Sequence, residues 1–188
     1  MSRESKKSTA REVLDTLEIQ PFWETQEVNA FDCGNKDLNE FLSTPQVREF
    51  ERESLGSTYL VFRRGTLVGF FTVSFGSLRV EYLKTWKSFS KMAQMKLDSI
   101  PALMIGRFAV DQRHQRQMIG TALIRYVAGM ALALKGKMGV RLMILEAKRG
   151  SVEFYQSCGF ELTTEVKRER GKVNRTMFFD LHAVADIA

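Results

Sequence analysis

The chain has 188 residues, of which 44% are hydrophobic and 27% are charged, and its net charge is +6. This length suits one domain with a substantial core, and the hydrophobic content excludes a disordered chain. No apolar run approaches the roughly 20 residues of a membrane helix, and the polar residues 1–15 lack the apolar centre of a secretory signal. We therefore expect a cytoplasmic protein with no membrane partner.

The titratable residues and the charge exclude some kinds of site. Cys33 and Cys158 have no metal-binding or redox spacing, and the two histidines are too few and too scattered for a metal site. We expect no metal and a reducing compartment. The basic charge suits an anionic ligand, but it does not choose among cofactor phosphates, nucleic acid and an acidic protein.

The first third of the chain predicts a polar extension, a strand, two helices and a hairpin. We expect residues 1–18 to be the extension and residues 27–31 to be the first strand. Asn35 is a helix-capping residue, and Thr44-Pro45 marks the start of a second helix that ends before Gly56. Two strands within Ser57–Phe75 then flank an Arg64-Gly65 turn.

The rest of the chain alternates strands and helices. Residues 78–99 predict a helical insertion whose aromatic and methionine side chains belong to the core. The central strand that ends at Val110 is followed by a polar turn, Asp111–Gln117, and then by a long amphipathic helix. Four further elements follow: a strand over 140–147, a short helix over 151–157, and a final hairpin of strands over 160–166 and 176–181.

This order predicts the fold class. A strand–helix–strand unit requires a parallel pair with a right-handed crossover, whereas the hairpins require antiparallel pairs. We therefore expect an α/β (α+β) fold with a mixed, mostly antiparallel central sheet that is flanked by helices on both faces.

The turn before the long helix is a candidate anion site. The first N–H groups of a helix have no intrahelical partner, and the helix dipole favours negative charge there. A strand-to-helix turn with a solvated charged tip is the alternative, because such turns are common.

The turn also resembles a known loop. Gln115-Arg116-Gln117-Met118-Ile119-Gly120, after the strand Arg107–Val110, resembles the acyl-CoA pyrophosphate loop of the GNAT N-acetyltransferases. Met118 stands where that family has its first glycine. A positive φ would cost a methionine there roughly 1–2 kcal/mol.

Two further segments strengthen the resemblance. Phe154–Phe160 is similar to the FYxxxGF segment of the same family, and Phe31–Leu42 resembles the branch that includes toxin-type acetyltransferases of toxin–antitoxin pairs. The resemblance implies a GNAT-like fold, with residues 19–188 as a single acetyltransferase domain, and acetyl-CoA as co-substrate.

The resemblance also implies roles for individual residues. Tyr155 would be the general acid that reprotonates the CoA thiolate, and a phenol with a pKa of about 10 is a competent donor. Its alternative is an aromatic side chain packed beside Phe154. No residue is marked as the base by the resemblance; Glu146, at the end of its strand, is a candidate, and a water chain or an amine that is already partly neutral is the alternative. The residues implied in cofactor binding are Phe108, Ala109, Val110, Gln115, Arg116, Gln117, Met118, Ile119, Gly120 and Thr121.

Arg107 is the candidate substrate residue. It lies within an apolar strand, so its charge should face a cleft or a paired carboxylate rather than the core. The basic stretch 167–175 either meets an RNA backbone or an acidic peptide, or is a solvated hairpin tip.

Three functions follow from these residues. The first is an acetyl-CoA-dependent N-acetyltransferase that moves an acetyl group directly to a primary amine. The second is a toxin-type acetyltransferase of aminoacyl-tRNA. The third is a non-catalytic module that binds CoA or nucleic acid. The expected partner is an amine acceptor, and tRNA, an antitoxin and a second copy of the chain are candidates.

Overall fold

A computed structural model describes residues 10–23, 28, 30–169 and 172–185. The strands are β1 (Glu18–Pro21), β2 (Ser57–Arg63), β3 (Thr66–Arg79), β4 (Ser99–Val110), β5 (Leu142–Lys148), β6 (Glu161–Glu169) and β7 (Lys172–Asp180). The helices are α1 (Lys36–Ser43), α2 (Gln46–Arg52), α3 (Phe89–Gln94), α4 (Ile119–Lys135), α5 (Val152–Ser157) and α6 (His182–Ala185). Residues 10–14 are also helical. Within the described ranges, no helix combines the length and apolar character that a bilayer crossing needs.

The seven strands form a sheet in the order β1-β2-β3-β4-β5-β7-β6. β1, β2 and β3 pair antiparallel, as do β5, β7 and β6, whereas β4 and β5 are parallel. The parallel pair flanks α4 in the chain, as the strand–helix–strand pattern predicted. The prediction of a mixed, mostly antiparallel sheet is confirmed.

The chain divides into two compact units. The first comprises Met1–Ser74 and Gly106–Val127, and the second comprises Phe75–Ile105 and Ala128–Ala188. Both units draw on β3, β4 and α4. The expected boundary between a polar extension and a domain at residue 19 stays a prediction.

The core of the first unit lies between its sheet strands and the helix pair α1 and α2. The Asn35 side chain caps α1 by accepting the N–H of Leu38 at 3.2 Å, as predicted. The buried side chains of this core are Phe22, Phe41, Leu42, Val47, Leu60, Leu67, Phe70 and Ala109. The first strand is Glu18–Pro21, and the described residues within 27–31 are not in a strand. That predicted position was wrong.

The core of the second unit contains part of the inserted segment, whose Leu83, Trp86 and Met92 are buried. Between the end of β3 and the start of β4, this segment contains a short 3₁₀ turn, Val80–Tyr82, and α3. Trp86 donates its indole N–H to Asp180 at 3.0 Å, which fixes the segment to the end of β7. Met95 is exposed, so a core position was wrong for that methionine.

Candidate active site

In the first unit, the predicted cofactor loop joins the end of β4 to the start of α4. Asp111 follows the last residue of β4 and caps a 3₁₀ turn, Gln112–His114, by accepting the N–H of Arg113. The loop 115–118 then leads to α4, whose first residue, Ile119, is buried at 1% exposure. The order of strand, polar turn and helix is the one the sequence predicted.

The Asp111 carboxylate is fully buried and stabilises the turn through hydrogen bonds. Its oxygens accept hydrogen bonds from the Arg113 backbone N–H at 2.9 Å and from two nitrogens of the Arg113 guanidinium at 2.9 and 2.8 Å. They also accept the backbone N–H of Asp32 at 3.1 Å. These bonds, above all those from the Arg113 side chain, hold the pKa of Asp111 far below its usual range.

The segment Phe31–Leu42 is tied to the same turn. The Asp32 carboxylate accepts the N–H of Gly34 at 2.8 Å and the side-chain amides of Asn39 and Gln112, each at 2.7 Å. These bonds, the one from Gly34 first, lower the pKa of Asp32. A Cβ on Gly34, whose φ is 79°, would lie 3.3 Å from the Gln112 side chain, so glycine suits this contact.

Two glutamines use their side chains to brace the loop. Gln115 donates to the carbonyls of Cys33 at 3.3 Å and Val110 at 3.0 Å. Gln117 donates to the Arg113 carbonyl at 3.2 Å and accepts from the Arg63 guanidinium at 3.1 Å. The amide groups of both side chains are therefore engaged with the protein.

Two non-glycine residues of the loop lie in the left-handed region, Arg116 with a φ of 60° and Met118 with a φ of 63°. The sequence predicted this strain at Met118, because Met118 occupies the position of the family's glycine. The Met118 carbonyl accepts the N–H of Ala122 at 2.9 Å and so begins α4. The methionine side chain is half-buried, and the loop adopts the left-handed turn without the glycine.

The loop residues fit an anionic ligand. α4 is 17 residues long, and the N–H groups of Ile119, Gly120 and Thr121 in its first turn lie beyond the reach of intrahelical acceptors. Arg116 is exposed beside them and adds a positive charge. The roles of these residues, and of Phe108, Ala109 and Val110 at the end of β4, stay predictions.

Arg107 lies on β4 between Gly106 and the strand end, in the first unit. Its guanidinium carbon is 3.7 Å from the ring centroid of Phe41 and 5.1 Å from that of Phe50. Its backbone N–H donates to the Thr72 hydroxyl at 2.9 Å. Burial lowers the pKa of Arg107. The structure shows no carboxylate paired with Arg107 among the described residues and places its charge against Phe41 of the core, and the expected substrate role of Arg107 stays a prediction.

In the second unit, Tyr155 lies on α5 and is 8% exposed. Its ring packs edge-on against Phe154 and Phe160, with centroids 5.0 and 5.8 Å away. Burial, with a smaller effect of Cys158, raises the pKa of Tyr155 above its ordinary value of about 10. The hydroxyl therefore stays protonated at neutral pH, as a general acid requires.

A pocket of about 280 Å³ also lies in the second unit. Glu146 of β5 faces Thr176 of β7 in the sheet register, and Met104 faces Ile144 across the parallel pair. The pocket has a mixed apolar and polar lining with one carboxylate, and Tyr155 is not part of that lining. The lining residues are Ser77, Leu78, Arg79, Tyr82, Met104, Ile144, Leu145, Glu146 and Thr176.

A family model for the acetyltransferase (GNAT) domain matches residues 56–162, which is more than half of the chain. The chain belongs to the GNAT acetyltransferases. The predicted enzyme class, an N-acetyltransferase, is thereby confirmed. The matched region contains both β4 with its loop and the α5 segment.

Three relatives place this GNAT chain beside toxin proteins. It is similar to a tRNA-acetylating toxin of Mycobacterium tuberculosis (strain ATCC 25618 / H37Rv), with 22% identity over 143 residues, 74% of this chain and 81% of the relative. It shares its fold with AtaT complexed with acetyl-methionyl-tRNAfMet, at a TM-score of 0.77 and 24% identity, covering 91% of this chain and 98% of that one. A tyrosine-to-phenylalanine mutant of the AtaT toxin, bound to the C-terminus of the antitoxin AtaR and acetyl-CoA, matches at a TM-score of 0.67 and 22% identity, covering 91% and 97%.

Sequence reasoning missed how this GNAT loop is supported. Asp32, Gln112 and Asp111 form a hydrogen-bonded set that no local pattern reveals, because the partners lie about 80 positions apart. One signal was available. The Phe31–Leu42 resemblance and the loop resemblance are separate motifs of one family, which favours contact between them. Thr72, which binds the Arg107 N–H, gave no signal in the sequence.

Proposed function

We propose that this GNAT chain transfers the acetyl group of acetyl-CoA to the α-amino group of an aminoacyl-tRNA. The observation that carries the proposal is the pocket around Glu146, whose lining combines apolar side chains with a single carboxylate. An aminoacyl group offers the matching chemistry, an amine on a carbon that bears a side chain. The pocket volume of about 280 Å³ suits a group of amino-acid size rather than a large ligand.

The loop residues would hold the co-substrate. The first N–H groups of α4, at Ile119, Gly120 and Thr121, suit a pyrophosphate, and Arg116 adds charge. The backbone of Phe108–Val110 would bind the pantetheine amides. Acetyl-CoA supplies an activated thioester whose carbonyl carbon accepts the amine.

Two side chains handle the protons in this proposal. Glu146 takes the proton that the amine loses as its nitrogen attacks the thioester carbonyl, directly or through one water. Tyr155 donates its hydroxyl proton to the sulfur as the carbon–sulfur bond breaks, and its raised pKa keeps that proton available. The products are the N-acetylated acceptor and CoA with a free thiol. Before the next cycle, Glu146 releases its proton to solvent and Tyr155 takes one up from solvent.

Charge and relatives support RNA as the acceptor's carrier. The net charge of +6 favours a polyanion. The curated relative is a tRNA-acetylating toxin, and one solved relative is complexed with an acetylated methionyl-tRNA. A third is bound to an antitoxin segment, so an antitoxin is the protein partner that we propose for this chain.

Radiolabelled acetyl-CoA and a panel of charged tRNAs test the function directly. We expect acid-precipitable label on at least one aminoacyl-tRNA, none on the same tRNA after deacylation, and one thiol released for each acetyl group transferred. A Tyr155→Phe variant should lose the transfer. Label on free amines or peptides but on no charged tRNA would reject the tRNA acceptor. Binding of tRNA without any thiol release would favour the non-catalytic module.

A further inference from the structure

The guanidinium of Arg107 contacts two aromatic rings but lacks an anionic partner in the part of the chain that the structure describes. It lies over the Phe41 ring at 3.7 Å and near the Phe50 ring at 5.1 Å. Among the described residues, no carboxylate or carbonyl accepts a hydrogen bond from its side-chain nitrogens. The half-buried cation therefore has aromatic contacts, and no described residue accepts a hydrogen bond from its side-chain N–H groups.

Neighbouring contacts fix the backbone at Arg107 and therefore the point from which its side chain extends. The Arg107 N–H donates to the buried Thr72 hydroxyl at 2.9 Å. A Cβ on Gly106 would lie 2.9 Å from the same oxygen, so a residue with a side chain would push Thr72 away. Two residues further on, Ala109 is anchored in the core with Phe41.

Stacking and burial together define the ligand chemistry. A guanidinium that makes only aromatic contacts within the protein keeps its N–H groups for a ligand, and their fork matches the paired oxygens of a phosphate. Partial burial strengthens such a pair, because water competes less for both charges. A half-buried cation without a partner is costly, so a site that keeps one is suited to receiving an anion.

We propose that Arg107 binds a backbone phosphate of the acceptor RNA. This inference rests on the proposed function. The α4 start already offers N–H groups for the phosphates of CoA, whereas Arg107 lies against α1 and α2 through Phe41 and Phe50. The shared chemistry is a phosphate, and the two sources, RNA and CoA, are separated by measurement.

The experiment measures tRNA affinity across a salt series, and acetyl-CoA affinity by calorimetry, for three variants. Arg107→Gln removes the charge, Arg107→Lys keeps the charge without the bidentate fork, and Arg52→Gln is the control, because Arg52 is an exposed arginine of α2. We expect Arg107→Gln to weaken tRNA binding about 10-fold and to lower the salt slope by about 0.7, the value of one single-strand phosphate. Arg107→Lys should keep most of the slope and lose several-fold in affinity. Arg52→Gln should change the tRNA affinity and the salt slope by less than Arg107→Gln does.

Each contrary result has a distinct meaning. A matching loss of acetyl-CoA affinity in Arg107→Gln would assign the phosphate to CoA and overturn the proposal. Unchanged tRNA affinity and slope, at any melting temperature, would also overturn it and leave Arg107 as a packing residue. If Arg107→Gln shows the slope change but wild type acetylates no charged tRNA, the phosphate contact stands and the proposed function fails. Normal acetylation of charged tRNA by Arg107→Gln with unchanged KM would reject the contact alone.

Discussion

The carboxylate of Asp111 accepts the backbone N–H of Asp32 at 3.1 Å across 79 positions of the chain. The same carboxylate binds the backbone and side chain of Arg113, so one buried group joins the N-terminal segment to the turn before α4. Because the turn leads directly into the loop 115–118, its position depends on this carboxylate.

Replacing Asp111 with asparagine should destabilise the protein by about 1.5–3 kcal/mol, the range for a hydrogen bond to a charged group. An asparagine amide can accept on one side only, so one of the bonds from Asp32 or Arg113 is lost. Urea denaturation measures the free energy of unfolding. We expect weaker acetyl-CoA binding as well, and Asp15→Asn, an exposed carboxylate, is the control. A stable Asp111→Asn variant with full affinity would contradict the role of this carboxylate.

The Asp111 contribution should depend on pH in a defined direction. Its pKa is lowered by folding, so its stabilisation is complete above its unfolded pKa of about 4 and is lost as the pH falls below that value. The difference in unfolding free energy between wild type and Asp111→Asn should therefore shrink below about pH 4. A constant difference between pH 7 and pH 3 would mean that the loss in the variant is not electrostatic.

The Met118→Gly variant should be more stable than the Met118→Ala variant by about 1 kcal/mol in free energy of unfolding. Both variants remove the half-buried methionine side chain, but alanine keeps the cost of a left-handed residue at a φ of 63° and glycine does not. Relative to wild type, strain relief in Met118→Gly is offset by added chain entropy and lost packing. We expect acetyl-CoA affinity in Met118→Gly to equal or exceed that of wild type, as measured by calorimetry. Greater stability of Met118→Ala than of Met118→Gly would be inconsistent with the left-handed conformation.

Tyr155→Phe should lower kcat by about 10² to 10⁴-fold, the usual contribution of a general acid. The melting temperature should change little, because phenylalanine keeps the ring contacts with Phe154 and Phe160. Since burial raises the pKa of Tyr155, the fall in wild-type kcat that reports this hydroxyl should come above pH 10. Tyr59→Phe, which removes a hydroxyl from β2, is the control. Equal rates for Tyr155→Phe and wild type would remove Tyr155 from the mechanism.

Glu146→Gln should lower kcat at neutral pH and regain activity as the pH rises. Without the carboxylate, the reaction depends on amine that is already neutral, and that fraction grows up to the amine pKa of about 8. Rates between pH 6 and pH 9 measure this, and Glu161→Gln, an exposed glutamate of β6, is the control. A variant whose rate is low by the same factor at every pH would point to a binding role for Glu146.

Local signals in the sequence predicted much of the fold. The Asn35 cap, the Arg64-Gly65 turn and the amphipathic pattern of α4 depend on neighbouring residues, so their elements are where the sequence indicates. β1 was misplaced because Glu18–Pro21 is short and its pairing with β2 is set by distant residues. The inserted segment was read as more helical than it is.

The candidate site was less accessible to sequence reasoning. Comparison with the family's loop indicated the strain at Met118, because the position of a missing glycine can be read from the chain. The stacking of Arg107 on Phe41 and the bonds of Asp111 require the tertiary arrangement of α1, α2 and β4. Periodicity and capping patterns involve neighbouring residues, so they do not predict contacts between residues that are far apart in the sequence.

The bond between Asp32 and Asp111 makes the start of the chain a reporter of the loop. A ligand that stabilises residues 115–121 also stabilises every contact that must break when the loop opens, by the ligand's own binding free energy. The amides of Asp32 and Gly34 take part in those contacts. The hydrogen exchange of these amides should therefore slow when acetyl-CoA is added, although they lie some 80 positions before the loop in the chain. An antitoxin or inhibitor that binds residues 30–39 and displaces them would compete with the co-substrate without contacting its site.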